Sequence, residues 1–195
     1  MAFLSKEQLQ VLSFKKLGEN VRISDKAAIY NPDQIEVGDN SRIDDFCVLS
    51  GRISIGRNVH IAIYCNVAGG TEGVFLEDFS GLAYGCHVMS QTDDYSGRTL
   101  TNPTVPTRYK NETRKAVHIE RHCIVGTGSI LLPGVRLQEG TSVGAMSMVT
   151  KTTEPWSIYF GIPAKRLKSR SQALLTLEQE YLAEETVKKS ASENL

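Results

Sequence analysis

An aliphatic residue recurs every six positions through most of this chain, and no other feature restricts the fold as much. The series begins Leu17, Ile23, Ile29 and continues Val37, Ile43, Leu49, Ile55, Ile61, Val67. After a short slip it resumes as Leu76, Leu82, Val88; residues 90–116 interrupt it; it returns as Ile119, Val125, Leu131, Leu137, Val143 and Val149. All 18 positions are Ile, Leu or Val, and a fixed short period marks a repeat architecture. Six residues are too few for a helical repeat but fit a short strand plus a turn, and three such units make one coil of a triangular prism. Divided among three faces, the 18 positions give about six coils of an all-β solenoid. Each coil buries its aliphatics against the coils above and below, and at about 25 cal/mol per Å² of apolar surface that column is the main stabilising term.

The residues between the aliphatics agree with this reading. Asn20, Asp39, Asn40, Asn58 and Gly140 fall where corners are expected, and such residues tolerate the left-handed backbone of tight turns. Two slips, at Asn31–Gln34 and Gly69–Phe75, have loop chemistry and read as corner bulges. The four cysteines, Cys47, Cys65, Cys86 and Cys123, form no CxxC pair. Each is the fifth residue of its hexad, a slot held elsewhere by Ser41, Ser80, Ser129, Thr141 and Ser147. That slot takes small residues, so the thiols are expected to be reduced and buried, with no metal or redox role.

The ends differ from the middle. Over 4–16, Ser5 with Gln8 makes a capping-box spacing, and a short helix covering the open start of the prism is expected, so 1–16 is a helical cap. The solenoid proper spans 17–168. In the stretch after Val149, Trp156, Ile158, Tyr159 and Phe160 are apolar enough to cap the last coil. Residues 169–195 hold an amphipathic helix with Leu174, Leu175, Leu177, Tyr181 and Leu182 near one face, then a polar, frayed tail VKKSASENL. Lys+Arg and Asp+Glu balance at 22 each, which favours neither nucleic acid nor an anionic membrane surface. With no apolar run long enough to span a bilayer and no cleavable leader, a cytoplasmic location is expected.

The interruption over 90–116, SQTDDYSGRTLTNPTVPTRYKNETRKA, has no period and almost no aliphatic content. A loop of this length inside a compact repeat is usually functional or disordered. Its second half is basic, with Arg108, Lys110, Arg114 and Lys115, and Tyr95, Val105 and Tyr109 are available to anchor it on a neighbouring surface.

With these residues in place, the chain resembles the hexapeptide-repeat acyltransferases, whose fold is a left-handed parallel β-helix. The more specific stretch is VGTGSILLPGVRLQEGTSVGAMSMVTKTTEPWSIYFGIPAKRLK, Val125–Lys168, which is similar to the acetyl-CoA end of the galactoside and xenobiotic acetyltransferases. A loop carrying DDYSG and TNPTVP resembles sugar acetyltransferases of O-antigen and capsule clusters. The resemblance implies a homotrimer with each site between neighbouring prisms and the loop of one subunit over the next. It implies acetyl-CoA as co-substrate, its pantetheine against Thr127, Gly144 and Ala145 and its phosphorylated adenosine near Thr150, Lys151, Lys165 and Lys168. It also implies an acceptor that is a dTDP- or UDP-linked amino sugar, acetylated on nitrogen for surface-polysaccharide synthesis.

One departure bears on mechanism. The galactoside and xenobiotic relatives use a histidine in the interrupting loop, whereas this loop has none and reads Ser90–Gln91–Thr92–Asp93–Asp94–Tyr95. Three readings stay open. Asp93 or Asp94 binds the acceptor and accepts its proton, which suits an amine better than a hydroxyl, since a free amine is already a nucleophile. Alternatively His87 or His118 reaches the site from the flanking hexads, or the Asp pair only forms a turn. Tyr95, Arg108 and Tyr109 are expected to hold the nucleotide diphosphate. His60 and His122 are expected to be exposed corner residues or to pack between subunits. The competing functions are O-acetylation of a sugar hydroxyl, a zinc protein like the γ-class carbonic anhydrases built on His87, His118 and His122, and a non-catalytic solenoid. No metal is expected.

Overall fold

The computed structural model describes residues 2–193, with side chains as far as Val187. They wind into a left-handed parallel β-helix of about seven turns, six complete coils and the start of another. The aliphatic series divides into three vertical columns. Face A stacks Leu17, Val37, Ile55, Leu76, Ile119 and Leu137. Face B stacks Ile23, Ile43, Ile61, Leu82, Val125 and Val143 and continues to Tyr159. Face C stacks Ile29, Leu49, Val67, Val88, Leu131 and Val149. Every position of the period is therefore a rung, and all are buried except Leu17 and Ile29 in the first coil, which are half-buried.

The three corners differ, and the difference explains the slips. At corner AB the chain turns through a left-handed residue on every coil: Asn20, Asn40, Asn58, Phe79, His122, Gly140 and Trp156. Corner BC repeats this with Phe46, Tyr64, Gly85, Gly128 and Met146. Corner CA takes all the irregularity: the slip at 31–34, the slip at 69–75 and the long loop leave the prism on the same edge. There the strands Val48–Ile55 and Asn66–Leu76 run on through the corner, and Gly51 pairs with Gly70. A Cβ on Gly69 would lie 1.9 Å from the Arg52 carbonyl oxygen, and the Gly69 carbonyl itself accepts the Ser90 hydroxyl at 2.5 Å. Gly69→Ala therefore forces the backbone apart at the root of the loop, and it is expected to cost about 1–3 kcal/mol. A thermal scan showing an unchanged Tm would contradict this packing.

The thiols lie in the small-residue slot and donate to backbone carbonyls of the next coil: Cys47 to Ala62 and Cys65 to Ala83 at 3.0 Å, Cys86 to Gly126 and Cys123 to Gln138 at 3.2 Å. All four are buried and unpaired by disulfide. Burial pushes the Cys123 thiol up to about 12, while its hydrogen bond with Cys65 draws Cys86 below the ordinary value.

The first helix, α1 (Lys6–Val11), is shorter than the expected 4–16 because Ser13 adopts φ 54 and ends it. Its capping box is present: the Ser5 hydroxyl accepts from the Gln8 amide at 3.2 Å and the Gln8 side chain accepts from the Ser5 amide at 2.8 Å. Leu9 is buried against the first coil, with Leu4 and Phe14 partly so. At the other end, Ser157–Phe160 joins face B, and Lys165–Ser169 pairs back on it antiparallel. The second helix, α2 (Leu174–Glu193), lies along corner AB: of the expected face, Leu174, Leu175 and Leu182 are half-buried and Tyr181 meets the Phe79 ring edge-on, and polar residues add hydrogen bonds beside them. Glu178 meets Arg121 and His122, the Tyr181 hydroxyl accepts from the Asn58 side-chain Nδ2 at 3.0 Å, and Glu185 meets Arg57 and Asn40. Leu177 stays exposed. The corner offers both kinds of contact, the stacked rings of Phe79, His122 and Trp156 and the amide and guanidinium donors of Asn58 and Arg121. The tail expected to fray is helical to Glu193, and its last positions lie outside the described residues.

Candidate active site

Corner BC carries an unsatisfied set of backbone donors. Successive coils bond there through one amide each: Gly85 to Ile63, Gly128 to Tyr84 at 2.8 Å and Met146 to Thr127 at 2.8 Å. The preceding amides do not join this ladder, and no acceptor among the described residues faces the N–H of Thr127 or Ala145. Both residues are exposed, so two amides one coil apart point outward, an arrangement suited to an extended ligand with its own amide groups. Gly144 has a different reason to be glycine: a Cβ there would meet the Phe160 ring at 2.5 Å.

Face C lies between this corner and corner CA, where Thr150 and Lys151 are exposed two coils below the loop. The outward row of face C runs Asn66, His87, Ile130, Met148. His87 is exposed on the coil from which the loop departs. Below Met148, whose carbonyl accepts from the Ala164 amide at 2.8 Å, the chain enters Lys165, opposite Phe160, and Lys168 follows opposite Ile158 on face B. The basic run is thus an exposed strand at the foot of the corner that bears the free amides.

His118 lies elsewhere. It is on face A, stacked 4.9 Å from the Phe75 ring, and burial lowers its pKa. His122 is not an exposed corner residue: it is buried, stacked on Phe79 at 5.6 Å, with its Nε2 3.0 Å from Glu178. Its burial comes from α2, which closes over corner AB. His87, His118 and His122 therefore occupy three different sides of the prism, and among the described residues no three His, Cys, Asp or Glu side chains form a metal-holding group. His60 is half-exposed on face B, with its Nε2 2.9 Å from buried Asp44. Asp44 also takes the Arg42 guanidinium at 2.5 Å, and its pKa ends below the ordinary value because these two partners outweigh the opposing effect of burial.

The loop is ordered by its own hydrogen bonds. Gln91–Thr92 pairs antiparallel with Thr113–Arg114, and the Lys115 amide donates to Ser90 at 2.8 Å. Glu112 holds Lys110 at 2.6 Å and Arg114 beside it. Arg108 stacks on Tyr109 at 4.7 Å, and Tyr95 is 89 % exposed, its ring uncovered by this chain. The two aspartates have different duties. Asp94 accepts from the Ser96 amide at 2.8 Å, the Ser96 hydroxyl at 2.9 Å and the Thr99 hydroxyl at 3.3 Å. The Ser96 amide above all holds its carboxyl below the usual range. A group depressed in the fold stabilises above its unfolded pKa of about 3.9 and loses that contribution as pH falls through the folded value, so an acid limb nearer neutrality does not belong to Asp94. Among the described residues Asp93 accepts only from the Asn102 backbone amide, through Oδ1 at 3.2 Å, which leaves Oδ2 without a partner among them. The turn reading thus fits Asp94, and Asp93 keeps a lone oxygen for another partner.

Hydropathy and spacing do not reveal the free amides of Thr127 and Ala145 or the Asp44–His60 contact, because both depend on coil register. Among the described residues no helix is long and apolar enough to cross a membrane.

No protein-family model matches the chain. It is 43 % identical over 184 residues to the dTDP-4-amino-4,6-dideoxy-D-glucose acyltransferase of Escherichia coli, covering 93 % of this chain and 95 % of that protein. It is 36 % identical over 115 residues to a galactoside O-acetyltransferase of Lactococcus lactis, covering 55 % and 51 %. Among solved structures, AntD, an N-acyltransferase from Bacillus cereus in complex with dTDP and 3-hydroxybutyryl-CoA, matches with TM-score 0.93 and 43 % identity over 94 % of this chain and 98 % of that one.

Proposed function

We infer the function from one premise, that the chain belongs to the β-helix N-acyltransferases of dTDP-linked amino sugars: it moves an acyl group from acyl-CoA to the amine of a nucleotide-linked amino sugar. The near full-length match to the Escherichia coli acyltransferase carries this reading. The acceptor class follows as a dTDP-4-amino-4,6-dideoxy sugar, the compound bound with Coenzyme A in an AntD complex. The donor class is acyl-CoA, with acetyl-CoA a small member of it. AntD accommodates 3-hydroxybutyryl-CoA.

In this chain, pantetheine lies against the free amides of Thr127 and Ala145, beside Gly144. The phosphorylated adenosine meets Thr150, Lys151, Lys165 and Lys168, where exposed ammonium groups attract phosphate. The neutral amine attacks the thioester carbon, the C–N bond forms, the C–S bond breaks, and the thiolate takes up the amine's proton. Asp93 receives the ammonium form, orients it and accepts the proton whose loss leaves the amine neutral, Asp94 keeps the loop folded, and His87 borders the acceptor from face C. Tyr95, Arg108 and Tyr109 hold the diphosphate from a neighbouring subunit, which makes the working unit a homotrimer with sites between prisms; His118 serves that boundary from face A. The setting is cytoplasmic synthesis of surface polysaccharide.

Lys151→Ala and Lys165→Ala are each expected to raise the KM for acyl-CoA about threefold to tenfold with kcat unchanged, about 1 kcal/mol of phosphate contact apiece. A fall in kcat at constant KM would remove them from the cofactor site. The linkage in the product tests the function itself: an amide resists hydroxylamine, and an ester, the outcome of O-acylation, is cleaved.

A further inference from the structure

We propose that Phe46 and Tyr64 form the platform on which the nucleobase of the acceptor stacks, an assignment that rests on the dTDP-sugar reading above. The two rings project from corner BC on consecutive coils, 5.2 Å apart at their centroids and 11° from parallel. Each stands on left-handed backbone, φ 59 and φ 64, which is costly for a bulky side chain. Later coils fill the same slot with Gly85 and Gly128, and corner AB uses Asn20, Asn40 and Asn58, residues for which the conformation is easier.

The strained rings of corner AB have a visible cause. Phe79, His122 and Trp156 stack in series beneath α2, where Tyr181 meets Phe79 edge-on. Phe46 and Tyr64 have no such cover and are 46 % and 60 % exposed. Stacked on each other, with Lys26 over the outer face of Phe46, they leave the outer face of Tyr64, toward Gly85, as the flat aromatic surface on which a base stacks, with Phe46 backing it. The Lys26 ammonium lies 5.6 Å over the Phe46 ring and 3.6 Å from Asp45, which holds the far side of the stacked pair in place.

Position along the corner selects which nucleotide. Coils repeat at about 4.8 Å. Below Tyr64 comes Gly85, where a side chain would meet nothing within 4 Å; below that come the free amides of Thr127 and Ala145. A base on the outer face of Tyr64 therefore sends its diphosphate and sugar down into the open coil at Gly85. The acyl end of a pantetheine bound below arrives there from the opposite direction. The adenine of CoA belongs at the far end, with Lys151 and Lys165, so the aromatic pair is left to the base of the acceptor.

The double variant Phe46→Asn/Tyr64→Asn removes both rings while supplying a residue that accepts φ near 60°, so its Tm is expected to equal or exceed that of the wild type. Titration calorimetry with dTDP should show at least about tenfold weaker binding, with the KM for the dTDP-amino sugar raised to match. CoA affinity and the mass by light scattering stay unchanged. Tyr64→Leu, which keeps bulk without a π face, should weaken dTDP in the same direction and carries the test if the double variant does not fold. Wild type that binds dTDP alongside variants that bind it within about twofold overturns the platform alone. So does a variant of altered mass, since the rings would then seal a subunit seam. Wild type that binds no dTDP overturns the acceptor reading and the platform with it.

Discussion

Leu82→Ala is expected to lower the stability of the folded protein by about 2–5 kcal/mol. Leu82 is only 2 % exposed and sits in column B between Ile61 above and Val125 below. The prism cannot collapse around the lost atoms, because each coil is held at strand spacing by the backbone ladders on three faces. The same truncation at Leu17, half-buried in the first coil, removes less contact and should cost roughly half as much. Urea midpoints of the two variants check this directly. Equal losses would mean that the column is not the source of stability. In a solenoid each repeat leans on its neighbours, so the central change should also reduce the cooperativity of unfolding more than the terminal one.

Asp93→Asn is expected to lower kcat/KM for the amino sugar by about a hundredfold, the lower end of what positioned proton acceptors contribute. The substitution preserves an oxygen that can accept from the Asn102 amide, the one bond Asp93 makes within the loop. The fold is therefore kept while the charge that receives an ammonium is removed. CoA affinity should not move. Asp94→Asn acts differently: it weakens a carboxylate bonded to Ser96 and Thr99, so it should loosen the loop, seen as faster proteolysis there, and reduce the rate as a consequence. Steady-state kinetics beside limited proteolysis of both variants separates the roles. A normal rate for Asp93→Asn would remove its carboxylate from the chemistry.

How far the sequence alone reaches follows from what each feature depends on. The columns are visible because burial on a prism face repeats every six residues, and counting within the hexad assigns the thiols of Cys47, Cys65, Cys86 and Cys123 to packing. The absence of histidine between residues 90 and 116 is likewise a matter of inspection. The slips at 31–34 and 69–75 stand out in the count, but their meeting with the loop on one corner emerges only once each hexad is given a face. The burial of His122 escapes such counting because it depends on Glu178, 56 residues later in the chain. For α2 the apolar face is legible in Leu174, Leu175, Tyr181 and Leu182, whereas the bonds of Glu178 and Glu185 are not, since they depend on Arg121, His122, Arg57 and Asn40 lying on one corner. The different employment of Asp93 and Asp94 rests on the path of Ser96 and Asn102, which neighbouring identity alone does not specify.

The central claim is that this prism joins an acyl-CoA to a nucleotide-linked amine. Release of CoA thiol should be measured with acetyl-CoA and two acceptors that differ in one group, dTDP-4-amino-4,6-dideoxyglucose and the same compound bearing a hydroxyl at that carbon. Saturable turnover is expected with the amine and none above background with the hydroxyl. Turnover with the hydroxyl compound, or with neither while a simple galactoside is acylated, would contradict it.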